Sequence, residues 1–284
     1  MNYALEVYKL RNKIGSVIAP NWVAKAVSIK FLSPKRYAIK AWERRAEQAG
    51  TRFNLSEQVS VIRWSKGSRT DHIKSENKQI LLIHGWESRA TQMYGLVEGL
   101  LRQDYTVFAV DMPGHGHSSG EVSDAYLFYQ TIKLAQQELG HFHAIIGHSM
   151  GAGAAAIAVG KGVTTNKLIL ISGPSSIENV LRRFSGFVGL NKKTTNKFID
   201  FIGHHVGVLA TELDATKLLG LCDIPTLLIH DEHDIEVPIS ESKILAKTFT
   251  QSELFVTKGL GHRKILKSDE VHAKISGFVN IKTD

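Results

Sequence analysis

Apolar and polar positions alternate with two different periods along this chain. In the first 55 residues the period is helical. Tyr3, Val7, Leu10, Ile14 and Val17 recur at three- and four-residue steps, an amphipathic stripe. Pro20 suits the first turn of a second helix carrying Trp22, Val23, Ala26 and Val27. Ser33-Pro34 predicts the start of a third, with Ser33 as N-cap, Pro34 at the first helical position and Gly50 just past the end. From residue 56 strands and helices alternate. Strands are predicted over 59–64, 80–83, 106–110, 143–146, 167–171, 226–230 and 254–256. Helices are predicted over about 89–102 and 123–139, in an alanine-rich stretch after 150, between the strands 226–230 and 254–256, and at the C-terminus. The run 80–83 is apolar throughout, as in a strand buried on both faces. The segment 174–215 interrupts this rhythm with helical pattern and basic residues such as Arg182, Arg183 and Lys192. The expected fold class is α/β, a mostly parallel sheet with helices on both faces and ligands at the carboxyl ends of strands.

Composition narrows the classes. The chain has 284 residues, 43% of them hydrophobic, and one cysteine. That leaves ample material for a buried core and excludes collagen-like, low-complexity and wholly disordered chains. Cys222 alone closes no intrachain disulfide, which suits a reducing compartment, and it reads as a small buried hydrophobe. No uncharged run approaches the roughly 20 residues of a membrane-spanning helix. The N-terminus, with Glu6, Lys9, Arg11 and Lys13 before a short apolar run, is a poor signal peptide. The expected location is therefore cytoplasmic.

Charge is unevenly placed. Residues 1–55 hold 11 Lys and Arg against 3 Asp and Glu, and the remainder is balanced. A nucleic acid, an anionic membrane surface and a solvated helical face are the readings to weigh. Pro and Gly breaks favour three short helices whose apolar sides, with Trp22 and Trp42, pack on the core. Peripheral membrane contact through residues 1–55 is the secondary expectation, and no nucleic-acid partner is expected.

The chemistry gathers at strand ends. Gly147-His148-Ser149-Met150-Gly151 follows an apolar strand and opens a small-residue helix, so Ser149 would sit on a tight strand-to-helix turn. The Met150 N–H, at the helix N-terminus, can face an oxyanion. A serine nucleophile needs a base, and the base a carboxylate. Asp231-Glu232-His233-Asp234-Ile235-Glu236-Val237-Pro238 follows one later strand, and Gly259-Leu260-Gly261-His262 follows the next. Asp231 and Asp234 both remain candidates for the acid on spacing. Upstream, His84-Gly85-Trp86 can turn the Trp86 N–H into the site. Asp111-Met112-Pro113-Gly114-His115-Gly116-His117-Ser118 reads as a tight turn.

Competing readings are weaker. Gly151-Ala152-Gly153-Ala154-Ala155-Ala156 matches a dinucleotide fingerprint, but no acidic residue follows before Glu178. His115, His117 and Asp111, or the Asp231–Asp234 cluster, could suggest a metal, but no second ligand set stands at metal spacing. No cofactor and no metal are expected.

These motifs, in this order, resemble the α/β-hydrolase fold superfamily over residues 56–284, in a serine-nucleophile, esterase- or lipase-like member. The resemblance implies Ser149 as nucleophile and His262 as general base. It implies Asp234, with Val237-Pro238 at the family's spacing, as the orienting acid, and the Trp86 and Met150 N–H groups as oxyanion hole. It also implies a cap at 174–215. Ala152 departs from the second glycine common after Gly151, and the helices of residues 1–55 lie outside the core fold. The implied activity is carboxylic ester hydrolysis through an acyl-enzyme, as in a carboxylesterase or small lipase acting on a small-molecule ester. Thioesterase, lysophospholipase, C–C bond hydrolase and acyl transferase are alternatives on the same fold. A membrane- or nucleic-acid-binding module with a vestigial site is the non-enzyme alternative.

Overall fold

The computed structural model describes residues 3–66, 78–219 and 222–281. Helices α1 (Tyr3–Ile18), α2 (Pro20–Leu32) and α3 (Ala41–Gln48) lead into strands β1 (Thr51–Asn54), β2 (Ser60–Trp64) and β3 (Gln79–Ile83). A 3₁₀ turn, Ala90–Leu96, runs into α4 (Val97–Arg102). There follow β4 (Thr106–Val110), α5 (Ala125–Leu139), β5 (Phe142–His148), α6 (Met150–Gly160) and β6 (Thr165–Ile171). Helices α7 (Ile177–Phe187) and α8 (Lys192–Val206) fill the predicted interruption, and α9 (Ala215–Leu219) begins at its end. The chain closes with β7 (Thr226–Asp231), α10 (Ser240–Thr248), β8 (Ser252–Thr257), α11 (Gly261–Lys264) and α12 (Asp269–Asn280).

Among the described residues eight strands form one sheet, in the order β1-β2-β4-β3-β5-β6-β7-β8. The β1–β2 and β2–β4 pairs are antiparallel and the others parallel. Because β3 lies between β4 and β5, the direction of winding reverses there. The crevice at the carboxyl ends of β3 and β5 is the switch point where ligands bind in such sheets. Period-two alternation sorts the strand side chains onto two cores. Leu81, Ile83, Phe108, Val110 and Ile145 pack with α2, α5, α6 and the α7–α8 pair. Ile80, Leu82, Val107, Ala109 and Ile146 pack with α4 and α12. On β6, Lys167 is buried and donates from Nζ to the Phe278 and Val279 carbonyls at 2.8 and 3.0 Å. It thereby closes the C-terminus of α12, where carbonyls lack helical partners.

Three expectations for the N-terminal segment are corrected. No helix starts at Ser33-Pro34. Ser33 instead ends α2, its hydroxyl donating back to the Ile29 carbonyl at 2.9 Å. A residue before proline is driven out of the helical region, and Arg36 then binds the carbonyls of Gly116, Ser118 and Gly120 at 2.6 to 2.9 Å. Helix α3 starts only at Ala41, where the Glu43 side chain accepts from the Lys40 N–H at 2.8 Å. Residues 51–54 are not helical but form β1, an edge strand whose Phe53 meets Phe108 edge-on at 6.4 Å. Four residues are too few for a period to show.

The third correction concerns α1. Its apolar stripe faces solvent, and the residues it buries are Asn12 and Ser16. Polar bonds to the α7–α8 connection decide this orientation. Asn12 Nδ2 donates to the Val188 carbonyl at 2.9 Å, and the Ser16 carbonyl accepts from Asn191 Nδ2 and Thr194 Oγ1 at 3.0 and 3.2 Å. Trp22, expected to pack, is likewise exposed. Cys222 is half-buried against the core, and burial pushes its thiol pKa up. No helix among the described residues is long and apolar enough to cross a membrane.

Candidate active site

Ser149 stands between β5 and α6 with φ 56° and ψ −123°, a left-handed conformation that few side chains adopt. The flanking glycines make that turn sterically feasible. A Cβ on Gly147 would lie 2.5 Å from the Ala152 Cα, and one on Gly151 2.4 Å from the Ile83 and His84 carbonyl oxygens. The reading of Gly-His-Ser-Met-Gly as a tight strand-to-helix turn matches the backbone.

Two later loops meet this serine. His262 Nε2 is 2.9 Å from Ser149 Oγ, and His262 Nδ1 is 2.7 Å from Asp234 Oδ2. Asp234 Oδ1 accepts from the Glu236 and Val237 N–H groups, each at 2.9 Å. Burial opposes ionisation of Asp234. Hydrogen bonds from His230, His262 and the Val237 N–H outweigh it, so the carboxyl stays well below the ordinary carboxylate range. The charged carboxylate requires a proton on His262 Nδ1, which leaves Nε2 to accept from the serine hydroxyl.

Asp231, the competing acid, does not reach His262. Its Oδ2 accepts from Thr257 Oγ1 and the Leu260 N–H, both at 2.9 Å, and its Oδ1 from the His233 N–H at 3.0 Å. It ties the two loops together and so places the backbone that carries His262. Burial works against its charge, but the Leu260 and Gly261 N–H groups and Thr257 hold its pKa down.

Four further histidines fix the site's loops, and sequence reasoning gave none of them this part. His148 donates from Nε2 to the His262 carbonyl at 2.8 Å; burial, then the nearby His262, push its pKa down to about 3. His230 donates from Nε2 to the Val237 carbonyl at 2.8 Å, and its Nδ1 accepts from Ser242 Oγ at 2.6 Å. Its Nε2 is also 3.4 Å from Asp234 Oδ2. His84 donates from Nδ1 to the Gly85 carbonyl at 2.7 Å and accepts at Nε2 from the Met112 N–H at 3.0 Å. His115 donates from Nδ1 to the Pro113 carbonyl at 2.9 Å and accepts from the Glu87 N–H at 3.0 Å. Burial lowers the pKa of His84, and burial with the neighbouring His84 brings His115 down to about 3. Both rings are therefore neutral, with one donor and one acceptor nitrogen each, as their partners require. A polar residue at the buried end of a strand was the one available signal for His84, His148 and His230. Spacing alone cannot say which backbone groups they meet.

His84 and His115 together hold the His84–Glu87 turn over Ser149, and a Cβ on Gly85 would stand 2.9 Å from the Ser149 Cβ. Among the described residues, neither the Trp86 nor the Met150 N–H has a hydrogen-bond acceptor in the protein. The Met150 N–H is at the first position of α6, where no intrahelical acceptor exists. Asp111 and His117, weighed as metal ligands with His115, belong to the turn below. Asp111 accepts from the Ala90 N–H at 2.7 Å, the His117 N–H at 3.1 Å and Arg52 Nη1 at 2.7 Å.

An apolar cavity adjoins the serine, lined by Trp86, Met150, Ile177, Leu181, Leu213 and Phe31 among others. Phe31 comes from α2, and its ring stacks on Trp86 at 5.6 Å and 14°. Helix α2 thus contributes to the pocket wall, a contact that no local sequence pattern announces. The cavity holds about 20 Å³, room for about one water.

Comparison with known proteins gives the same fold. The Pyrococcus furiosus esterase Pf2001 superimposes with a TM-score of 0.62 at 18% identity, covering 87% of this chain and 98% of that one. The AB hydrolase superfamily protein YisY of Bacillus subtilis is 24% identical over 247 residues, 72% of this chain and 92% of its own length. A serine hydrolase-like protein of Dictyostelium discoideum is 32% identical over 89 residues, 30% of this chain and a quarter of its own length. The alpha/beta hydrolase family model matches residues 80–233, more than half of the chain. With the sheet order, the turn at Ser149 and this match in agreement, the chain belongs to the alpha/beta hydrolase family.

Proposed function

We propose that this protein is a serine hydrolase that cleaves carboxylic esters through an acyl-enzyme. The observation that carries the reading is the continuous relay Ser149 Oγ, His262, Asp234, with contacts of 2.9 and 2.7 Å, at the switch point of the sheet. His262 Nε2 takes the Ser149 proton as Oγ attacks the ester carbonyl. The carbonyl π electrons move to oxygen, and the Trp86 and Met150 N–H groups bind that oxyanion. Asp234 stabilises the imidazolium. As the tetrahedral intermediate collapses, the carbon–oxygen bond to the alcohol breaks and His262 gives its proton to the leaving alkoxide. Water, deprotonated by the same nitrogen, then attacks the acyl-serine. The acid leaves, and Ser149 regains its proton.

The apolar lining favours an acyl chain over a charged one. At about 20 Å³ the cavity admits such a chain only as α7 and α8 separate from Trp86 and Phe31. The test combines a panel of p-nitrophenyl esters of increasing acyl length, a fluorophosphonate probe and the variant Ser149→Ala. Turnover by the wild type, with a fall of roughly 10³ or more in a folded Ser149→Ala protein, is the expected result. A folded Ser149→Ala protein with near-wild-type turnover would refute the mechanism. So would a wild type that neither turns over esters nor takes the probe.

A further inference from the structure

Helix α1 turns its apolar side outward. Tyr3, Val7, Leu10, Ile14 and Val17 are 82%, 49%, 58%, 53% and 76% exposed, while Asn12 and Ser16 are buried. At about 100° per residue the stripe lies opposite those two residues, as far from the protein body as the helix allows. Exposed Ile18, Trp22 and Ile29 continue it onto α2. Single exposed apolar residues are ordinary, but a contiguous run of this kind marks a partner.

Its charge identifies the class of partner. Arg11 and Lys13 flank the stripe on either side, and Lys25 stands between Trp22 and Ile29 on the helical surface. Glu6 is the one acidic residue of α1 and α2, and it is paired with Lys9 at 3.0 Å. A second copy of the chain would bring like charge against like charge. A nucleic acid would use the lysines and leave Leu10, Ile14 and Val17 in water. An anionic bilayer uses both, with apolar side chains at the headgroup boundary and cations above the lipid phosphates. We propose that the outer face of α1 and the start of α2 dock on an anionic phospholipid surface, with Trp22 at headgroup level.

This face has a route to the pocket. Trp22 and Phe31 are on the same helix, about 14 Å apart along its axis, and Phe31 stacks on Trp86 beside Ser149. A docked molecule would hold its acyl pocket near the bilayer, so the substrates reached would be esters dissolved in lipid. That last step rests on the ester-hydrolase reading, but the docking itself does not.

The test is co-sedimentation of the full chain with vesicles of phosphatidylglycerol and phosphatidylcholine, or of phosphatidylcholine alone, at low and high salt. Binding should require the anionic lipid, fall with salt and shift Trp22 emission to the blue, a shift lost in Trp22→Phe. Lys13→Gln with Lys25→Gln should weaken binding about 25-fold, at about fivefold per cation. The triple variant Leu10→Ser, Ile14→Ser, Val17→Ser changes only exposed positions. It should lower binding at least about tenfold, with unchanged circular dichroism and unchanged fluorophosphonate labelling of Ser149. No binding to anionic vesicles at low salt, or full binding by the triple variant, would overturn the proposal. So would a wild-type dimer that the triple variant dissolves without any vesicle binding, or duplex DNA bound as tightly as vesicles. Labelling and sedimentation are read separately, so an inert Ser149 with intact docking, or the reverse, identifies which of the two ideas has failed.

Discussion

Mild acid should destabilise this fold through its buried imidazoles. His115 and His148 are buried and neutral, each with a pKa brought down to about 3 in the folded chain by burial and a neighbouring histidine. Unfolded, each takes up a proton near the ordinary histidine value of about 6.5. Between those values the unfolded chain binds more protons than the folded one, so stability rises with pH there and is lost as pH falls. For a folded pKa near 3, each ring costs about 2 kcal/mol at pH 5 relative to neutral pH, or about 4 kcal/mol for the pair. That is a large share of the roughly 5–15 kcal/mol typical of a whole domain. His84, also buried and lowered, adds in the same direction. The Asp234 carboxyl is held low, so its contribution is present above about pH 4 and lost only below it. The Asp124 carboxyl, pushed up by burial, works in the opposite sense, so the loss of stability expected between pH 7 and pH 5 is carried by the imidazoles. Urea unfolding at pH 7 and pH 5 reads the difference directly. His115→Gln should lower stability at pH 7 yet reduce the pH 5 to pH 7 difference by about 2 kcal/mol. Equal unfolding free energies at the two pH values, within about 1 kcal/mol, would refute the assignment of neutral buried rings.

Other expectations follow from single contacts. Asp234→Asn should reduce ester turnover by about 10⁴ by removing the acceptor that fixes the His262 tautomer. Asp231→Asn should act more mildly, through a displaced His262 loop. It leaves the Leu260 N–H facing an amide, at a cost of about 1–3 kcal/mol in stability, and comparable turnover losses in the two variants would sink the distinction. Lys167→Met should cost about 2 kcal/mol or more in urea unfolding by orphaning the end of α12, and a neutral result would contradict that capping. Phe31→Ala, which opens the pocket wall beside Trp86, should shift the preferred p-nitrophenyl ester toward longer acyl chains with little change on acetate. An unchanged chain-length profile would show that α2 does not bound the acyl site.

The core of the fold was legible locally. Alternating apolar strands and amphipathic helices follow from hydrogen-bond geometry and burial, and both are written in consecutive residues. The turn at Ser149 was legible for the same reason, because Gly147 and Gly151 are required by contacts with the adjoining turn and strand. The position of His262 past β8 could be read from order along the chain. What order could not decide was the choice between Asp231 and Asp234, three residues apart on one loop. Both carboxylates meet the loop after β8, and the choice depends on which of them reaches the His262 ring: Asp234 does, while Asp231 places the loop through Thr257 and Leu260. The orientation of α1 was hidden for a related reason. Periodicity shows that a helix has two faces but not which one meets the protein. Here the bonds from Asn12 and Ser16 to residues some 175 positions away turn the polar face inward, and the hydrophobic face, which by itself would be buried, is left in water. The stacking of Phe31 on Trp86 is another such contact across distant sequence. Local sequence determines the elements and the chemistry each can carry. Which elements meet, and through which faces, is decided by the packing of the whole chain.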